Sequence, residues 1–168
     1  MPVSEQGVSL DRYMLIPRVL IFITRGRSVL LLKGAPTKRI WANKYNGVGG
    51  HVEPGEDVLS AARRELLEET GFSEKEVPDL HLCGTVVVDT ETNPGIGMYV
   101  FTGESKTGKP TSSNEGMLEW VALKEVPFLQ VVEDLPTLLK RIFQMKPADR
   151  PFSARSFYRD GKLRMEFS

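Results

Sequence analysis

Six carboxylates fall within the 23 residues from Gly50 to Phe72: Glu53, Glu56, Asp57, Glu65, Glu68 and Glu69. Only Arg63 and Arg64 oppose them. In a helix each residue advances by about 100°. Relative to Glu65, Glu68 then lies near −60° and Glu69 near +40°, so the three acids share an arc of roughly 100°. Like charges at these spacings repel and weaken an isolated helix. A divalent cation with oxygen ligands would compensate them. Magnesium suits such a site, because it takes octahedral oxygen coordination from a few carboxylates, water and substrate phosphates. Arg64 can brace one carboxylate through a bidentate pair. Gly49 and Gly50 let a main-chain oxygen approach the same ion. The alternative for the helix taken alone is a solvated acidic face.

These acids need a helix and something to hold it. The spacing predicts a helix over 57–70, with Asp57 as N-cap, Gly71 just past the end and no Gly or Pro inside. Leu59, Ala62 and Leu66 form a neighbouring apolar sector that would anchor it against a sheet. Upstream, residues 13–24 read as a buried strand. Arg25-Gly26-Arg27 then turns the chain into a second strand over 28–33, giving a hairpin. Residues 34–46 read as a surface loop. Strands are expected over 80–89 and 98–102, separated by a turn at 92–95, and over 118–123. Leu135, Leu138, Leu139, Ile142 and Phe143 mark a second helix over 135–145. Residues 152–158 and 162–167 form a closing hairpin. His81 and Cys83 sit in an apolar strand and read as packing residues. Alternating strands with two helices predict a mixed sheet covered by helices, in the α/β (α+β) class.

Composition limits the function. Across 168 residues, 22 basic side chains balance 22 acidic ones, so bulk positive charge does not recruit nucleic acid and no stable nucleic-acid binding is expected. The balance is uneven: residues 140–168 carry eight basic and three acidic residues. The single cysteine, Cys83, excludes an intramolecular disulfide framework and a multi-cysteine zinc site. No run of 18 apolar residues is present, and the polar first residues lack the pattern of a signal peptide. The expectation is a cytoplasmic protein, not attached to a membrane, with an N-terminal arm over 1–12 and one domain over 13–168.

Read from Gly50, the segment GHVEPGEDVLSAARRELLEETGF resembles the Nudix box without departure. The resemblance implies a Nudix hydrolase with an α/β/α sandwich around a mixed sheet. It implies Glu65, Glu68 and Glu69 as metal ligands, joined by the Gly49 carbonyl. Arg64 would orient the glutamates, and Glu56 would fix the loop or touch the metal. Catalytic roles thus fall to Glu56, Arg64, Glu65, Glu68 and Glu69. The implied cofactor is Mg²⁺, with Mn²⁺ as a substitute. The ion would withdraw charge from phosphate oxygens, a glutamate would take a proton from water, and in-line attack would break a phosphoanhydride.

Around the box, Tyr45-Asn46-Gly47-Val48-Gly49-Gly50 is similar to the branch that hydrolyses oxidised purine nucleoside triphosphates. There the Asn reads the purine edge, so Asn46 is the base-recognition candidate; alternatively it only turns the chain before Gly47. The stretch Glu115 to Trp120, followed by Val126-Pro127-Phe128, is similar to the same branch, and Glu115 aligns with a further metal contact. Asp134 aligns with a base-reading acid. Val132 and Leu135 depart from that branch, where an aromatic residue and a second acid are found. Trp120 reads as core packing, and Lys33 and Arg39 are candidate phosphate contacts. The resemblance therefore implies hydrolysis of a nucleoside triphosphate to the monophosphate and pyrophosphate, with oxidised purines such as 8-oxo-dGTP as candidate substrates. Alternatives are a pyrophosphatase for ADP-ribose, nucleotide sugars or dinucleotides, and a non-catalytic nucleotide-sensing module. A monomer or homodimer is expected.

Overall fold

The computed structural model describes residue 2 and residues 5–168. Part of the expected N-terminal arm (residues 1, 3 and 4) lies outside the described residues, and among the described residues no strand begins before Leu15. Eight strands and two helices follow: β1 Leu15–Arg25, β2 Ser28–Gly34, β3 Tyr45–Asn46, α1 Val58–Thr70, β4 His81–Val88, β5 Gly95–Glu104, β6 Gly116–Ala122, α2 Leu135–Gln144, β7 Phe152–Arg159 and β8 Lys162–Phe167. The sheet runs β3-β2-β1-β5-β4-β7-β8, with β6 paired to β2. β1 is parallel to β5 and β4 to β7, while the other pairs are antiparallel. The mixed sheet expected from the sequence is therefore present.

Both faces of the sheet are covered, which explains why β1 and β2 carry continuous apolar runs. On one face Val19, Ile21, Ile23 and Leu30 pack with Ala61, Ala62 and Leu66 of α1. On the other, Leu20, Phe22, Val29 and Leu31 pack with Leu135, Leu138, Leu139 and Ile142 of α2. The Asp57 carboxylate caps α1 by accepting from the N–H groups of Leu59 and Ser60. Gly71, at φ 74°, ends it in the left-handed conformation that glycine adopts without steric cost. Among the described residues, no helix is long and apolar enough to cross a membrane.

Three departures from the sequence reading matter for the site. The β1–β2 hairpin closes only at Thr24–Val29 and Arg25–Ser28. Beyond that the two strands splay, and residues 46–51 wedge between them: β3 pairs with β2 at Leu32–Asn46, while Val48 bridges Ile21 and His51 bridges Arg18. β5 is longer than expected because Gly95, read as a turn residue, and Gly97, left outside the expected strand, pair with Leu15 and Pro17 of β1. His81 does not pack in the core. It is exposed at the start of β4, with Nδ1 2.7 Å from the Asp79 carbonyl, whereas Cys83 is buried.

Candidate active site

The wedge over 46–51 brings two glycines against α1. A Cβ on Gly49 would overlap the Val19 carbonyl, and one on Gly50 would overlap the Glu65 carboxylate. At Gly49, where the overlap is with backbone, only glycine permits this approach. The Gly49 N–H donates to Glu69 Oε2 at 3.1 Å.

The three acids of α1 do not share one environment. Glu69 is only 7% exposed. The Glu65 side chain is 13% exposed and that of Glu68 60%. The acidic arc expected at the edge of the buried face is therefore divided, with Glu69 inside that face. Burial pushes its carboxyl up to about 7. The Gly49 N–H and Lys38 pull it down, and the charges of Glu65 and Glu115 raise it further.

Arg64 ties the box loop to the helix. It grips Glu56 with two bonds, Nη2 to Oε1 at 2.6 Å and Nε to Oε2 at 3.1 Å. Its Nη1 donates to Glu65 Oε1 at 2.8 Å and more distantly to Glu68, and its Nη2 donates to the His51 carbonyl. Glu56 also accepts from the Glu53 N–H at 2.8 Å. The Arg64 guanidinium, then that N–H, hold the Glu56 carboxyl below its ordinary range. The two carboxylates raise the Arg64 pKa in return.

Glu69 lines a cleft at the splay of β1 and β2. Arg18, Lys38 and Lys44 supply its positive charge, Leu20, Leu32, Trp41 and Met98 its apolar surface, and Asn46 an amide. Asn46 Oδ1 accepts from the Gly47 N–H at 2.8 Å, which is the chain-turning role, while its Nδ2 makes no hydrogen bond among the described residues. Glu115 forms an ion pair with Lys38 at 2.5 Å.

Other expected site residues lie apart. Lys33 pairs with Tyr45 on the α2 face of the sheet, opposite Leu32, and its Nζ stands 5.5 Å from the Tyr45 ring. Arg39 is exposed and does not line the cleft. Asp134 immediately precedes α2, half-buried, and desolvation raises its carboxyl pKa. It too is outside the cleft lining. Trp120 packs against the α1-side core, with the Arg25 guanidinium 4.2 Å over its ring, as its reading as a packing residue requires. Arg18, Lys38, Trp41 and Lys44 were not singled out from sequence. The available signal was the stretch 33–44, with four cations and no acid.

The donors fit a hard divalent cation. Glu69 is a buried carboxylate with one N–H partner, destabilised by two neighbouring acids, and the available donors are all oxygen. Among the described residues, however, no three His, Cys, Asp or Glu side chains converge at metal-binding distance. Arg64 holds Glu65 and approaches Glu68, and Lys38 holds Glu115. A ligand set around Glu69 would need at least one of these side chains to swing toward it.

The NUDIX domain model matches residues 14–142. The chain is 32% identical over 127 residues to the mouse protein named oxidized purine nucleoside triphosphate hydrolase, covering 73% of this chain and 78% of that one. To the zebrafish (Danio rerio) protein of the same name it is 34% identical over 119 residues, covering 68% and 71%. Among solved structures, the MutT protein from Bacillus halodurans superposes with a TM-score of 0.73 at 24% identity, covering 92% of this chain and 98% of that one. With the family model spanning most of the sheet, α1 and α2, the chain belongs to the Nudix family of hydrolases.

Proposed function

We propose that this Nudix hydrolase cleaves a nucleoside triphosphate to the monophosphate and pyrophosphate with Mg²⁺, or Mn²⁺ in its place. The observation carrying this reading is one cleft that joins the buried Glu69 to a rim of Arg18, Lys38 and Lys44. A triphosphate needs cations for its oxygens, and the ion needs carboxylates. Glu65, Glu68, Glu69, the Gly49 carbonyl and Glu115 would hold the ion, which when bound withdraws charge from phosphate oxygens and acidifies water. Arg64 orients Glu65 through the bond at 2.8 Å and fixes the box loop through Glu56. One of the box glutamates takes the proton from the attacking water. Lys38 and Arg18 orient the phosphate chain for in-line displacement.

The names of the mouse and zebrafish relatives favour an oxidised purine as the base. The free amide nitrogen of Asn46 suits a purine edge that offers an acceptor. Asp134 is a candidate for the opposite edge, since Val132 bonds through its N–H to the Tyr45 carbonyl beside Asn46 and so brings the start of α2 near β3. The test is a Mg²⁺-dependent hydrolysis screen with products identified by mass. Monophosphate and pyrophosphate from purine triphosphates are expected. Two monophosphates from ADP-ribose, with triphosphates left intact, would replace this reading, as would full turnover by Glu69→Gln.

A further inference from the structure

The loop between β2 and β3 holds one large aromatic residue in an unusual state. Trp41 has φ 61°, a left-handed conformation that bulky L-residues rarely adopt. Its side chain is not buried to compensate, since Trp41 is 45% exposed. Among the described residues its ring makes no hydrogen bond, aromatic contact or cation–π contact. The backbone is nevertheless tightly fixed. The Gly34 N–H donates to the Lys44 carbonyl at 3.0 Å, the Asn43 N–H to the Gly34 carbonyl at 2.9 Å, and the Lys44 N–H to the Trp41 carbonyl at 3.0 Å. Gly34 has no side chain where a Cβ would press on the Trp41 carbonyl. The loop is also tied to the start of β6 by the Lys38–Glu115 ion pair and by the bond from the Ala35 N–H to the Glu115 carbonyl at 3.0 Å.

A strained residue kept in place by its surroundings points to a role for its side chain. Trp41 lines the cleft that also presents Leu20, Leu32 and Met98, the Asn46 amide and the cations Arg18, Lys38 and Lys44. A flat apolar ring beside an amide and a cationic rim matches the three parts of a nucleotide. We propose that Trp41 is the platform on which the nucleobase of the substrate stacks. This rests on the nucleotide-hydrolase reading above. Stacking is tolerant of base identity, because every base has a π-face. Trp41 therefore supplies affinity for the base as such, and selection among bases falls to polar groups such as Asn46.

The test uses fluorescence. The chain has two tryptophans, so Trp120→Phe leaves Trp41 as the single indole and keeps a ring beneath Arg25. Metal-free protein is titrated with a purine nucleoside 5′-monophosphate and, as the base-free control, with ribose 5-phosphate. Saturable quenching by the nucleotide alone is expected. In kinetics, Trp41→Ala is expected to raise KM for the triphosphate about 10- to 100-fold with a much smaller change in kcat, and Trp41→Phe to retain most of the affinity. Equal quenching by both ligands, no quenching in an enzyme that hydrolyses nucleotides, or an unchanged KM in Trp41→Ala overturns the stacking role and leaves the hydrolase reading intact. A parent enzyme that hydrolyses no nucleotide strikes the hydrolase reading, and the stacking role falls with it.

Discussion

Lys38 Nζ lies 2.5 Å from Glu115 Oε2, so a cation from the loop after β2 neutralises the acid just before β6. Both also act on Glu69, Lys38 lowering its pKa and Glu115 raising it. Both side chains are part exposed, at 32% and 46%, and such a pair contributes no more than about 1 kcal/mol to stability. Lys38→Ala is therefore expected to shift the melting temperature very little. It is expected to raise KM for a triphosphate about tenfold, the worth of one charge-assisted contact. Thermal denaturation and steady-state kinetics on the same preparation check both. An unchanged KM would remove Lys38 from the phosphate rim.

Glu69 makes metal-free stability depend on pH. Its folded pKa is about 7 against an ordinary 4.5. Because the folded value is raised, the unfolded chain releases this proton first. Stability therefore falls as pH rises from about 4.5 to about 7, by about 3 kcal/mol in all. Urea denaturation in chelator at pH 5 and pH 8 measures the loss. Glu69→Gln should flatten that part of the profile, make metal-free protein more stable at pH 8, and reduce turnover by about 10²–10⁴-fold. A variant whose pH profile matches the parent would mean that Glu69 is not destabilised by burial.

The site was legible where chemistry is local in sequence and obscure where it is not. The box follows one helix and its leading loop, so spacing placed Glu65, Glu68 and Glu69 on one helix between the caps Asp57 and Gly71, while their proposed role as ligands rests on the resemblance. Periodicity could not show that Glu69 is buried and Glu68 exposed, because the wedge over 46–51 decides that, and the wedge depends on β1 and β2 separating. β3 is not legible in sequence because two residues show no alternation; Tyr45 and Asn46 are strand through their pairing with Lys33 and Leu32 and the bridge from Tyr45 to Val131. That pairing also sends the Lys33 side chain to the α2 face, leaving Lys38 of the following loop to meet the cleft. β5 begins earlier than its apolar run suggests, because Gly95 carries turn propensity that pairing with β1 overrides.

Arg64→Lys should behave as a damaging change. The guanidinium spans Glu56, Glu65 and the His51 carbonyl at once, and an ammonium cannot reproduce that planar fork. Removing support for a ligand typically lowers metal affinity or activity about 10- to 100-fold. Calorimetric titration of Mg²⁺ or Mn²⁺, alongside kcat, measures the effect. Equal affinity in Arg64→Lys and the parent would show that the fork is not needed.

Cys83 should be chemically silent in the native protein. It is 1% exposed, and burial pushes its thiol up to about 12. Reaction with a thiol reagent requires the thiolate and access to it. Labelling at pH 8 is expected to follow the unfolding transition in urea and to be negligible before it. Rapid stoichiometric labelling in native buffer would mean that β4 opens locally.

Gly49 and Gly50 are adjacent, yet alanine should affect them differently. At Gly49 a Cβ would overlap the Val19 carbonyl, which belongs to the centre of the sheet. That backbone cannot move without disturbing β1, and Gly49 also sits at φ 156°. Gly49→Ala should therefore lower the melting temperature and weaken the bond from the Gly49 N–H to Glu69. At Gly50 the Cβ would meet the far end of the Glu65 side chain. A flexible carboxylate can swing aside, so the fold should survive with a modest loss of stability. The displaced Glu65 would then leave Arg64 and the proposed ion site, and turnover should fall much further than stability. Circular dichroism melts and kcat for both variants separate the two outcomes. If Gly50→Ala kept full kcat, Glu65 would not need its present position for catalysis.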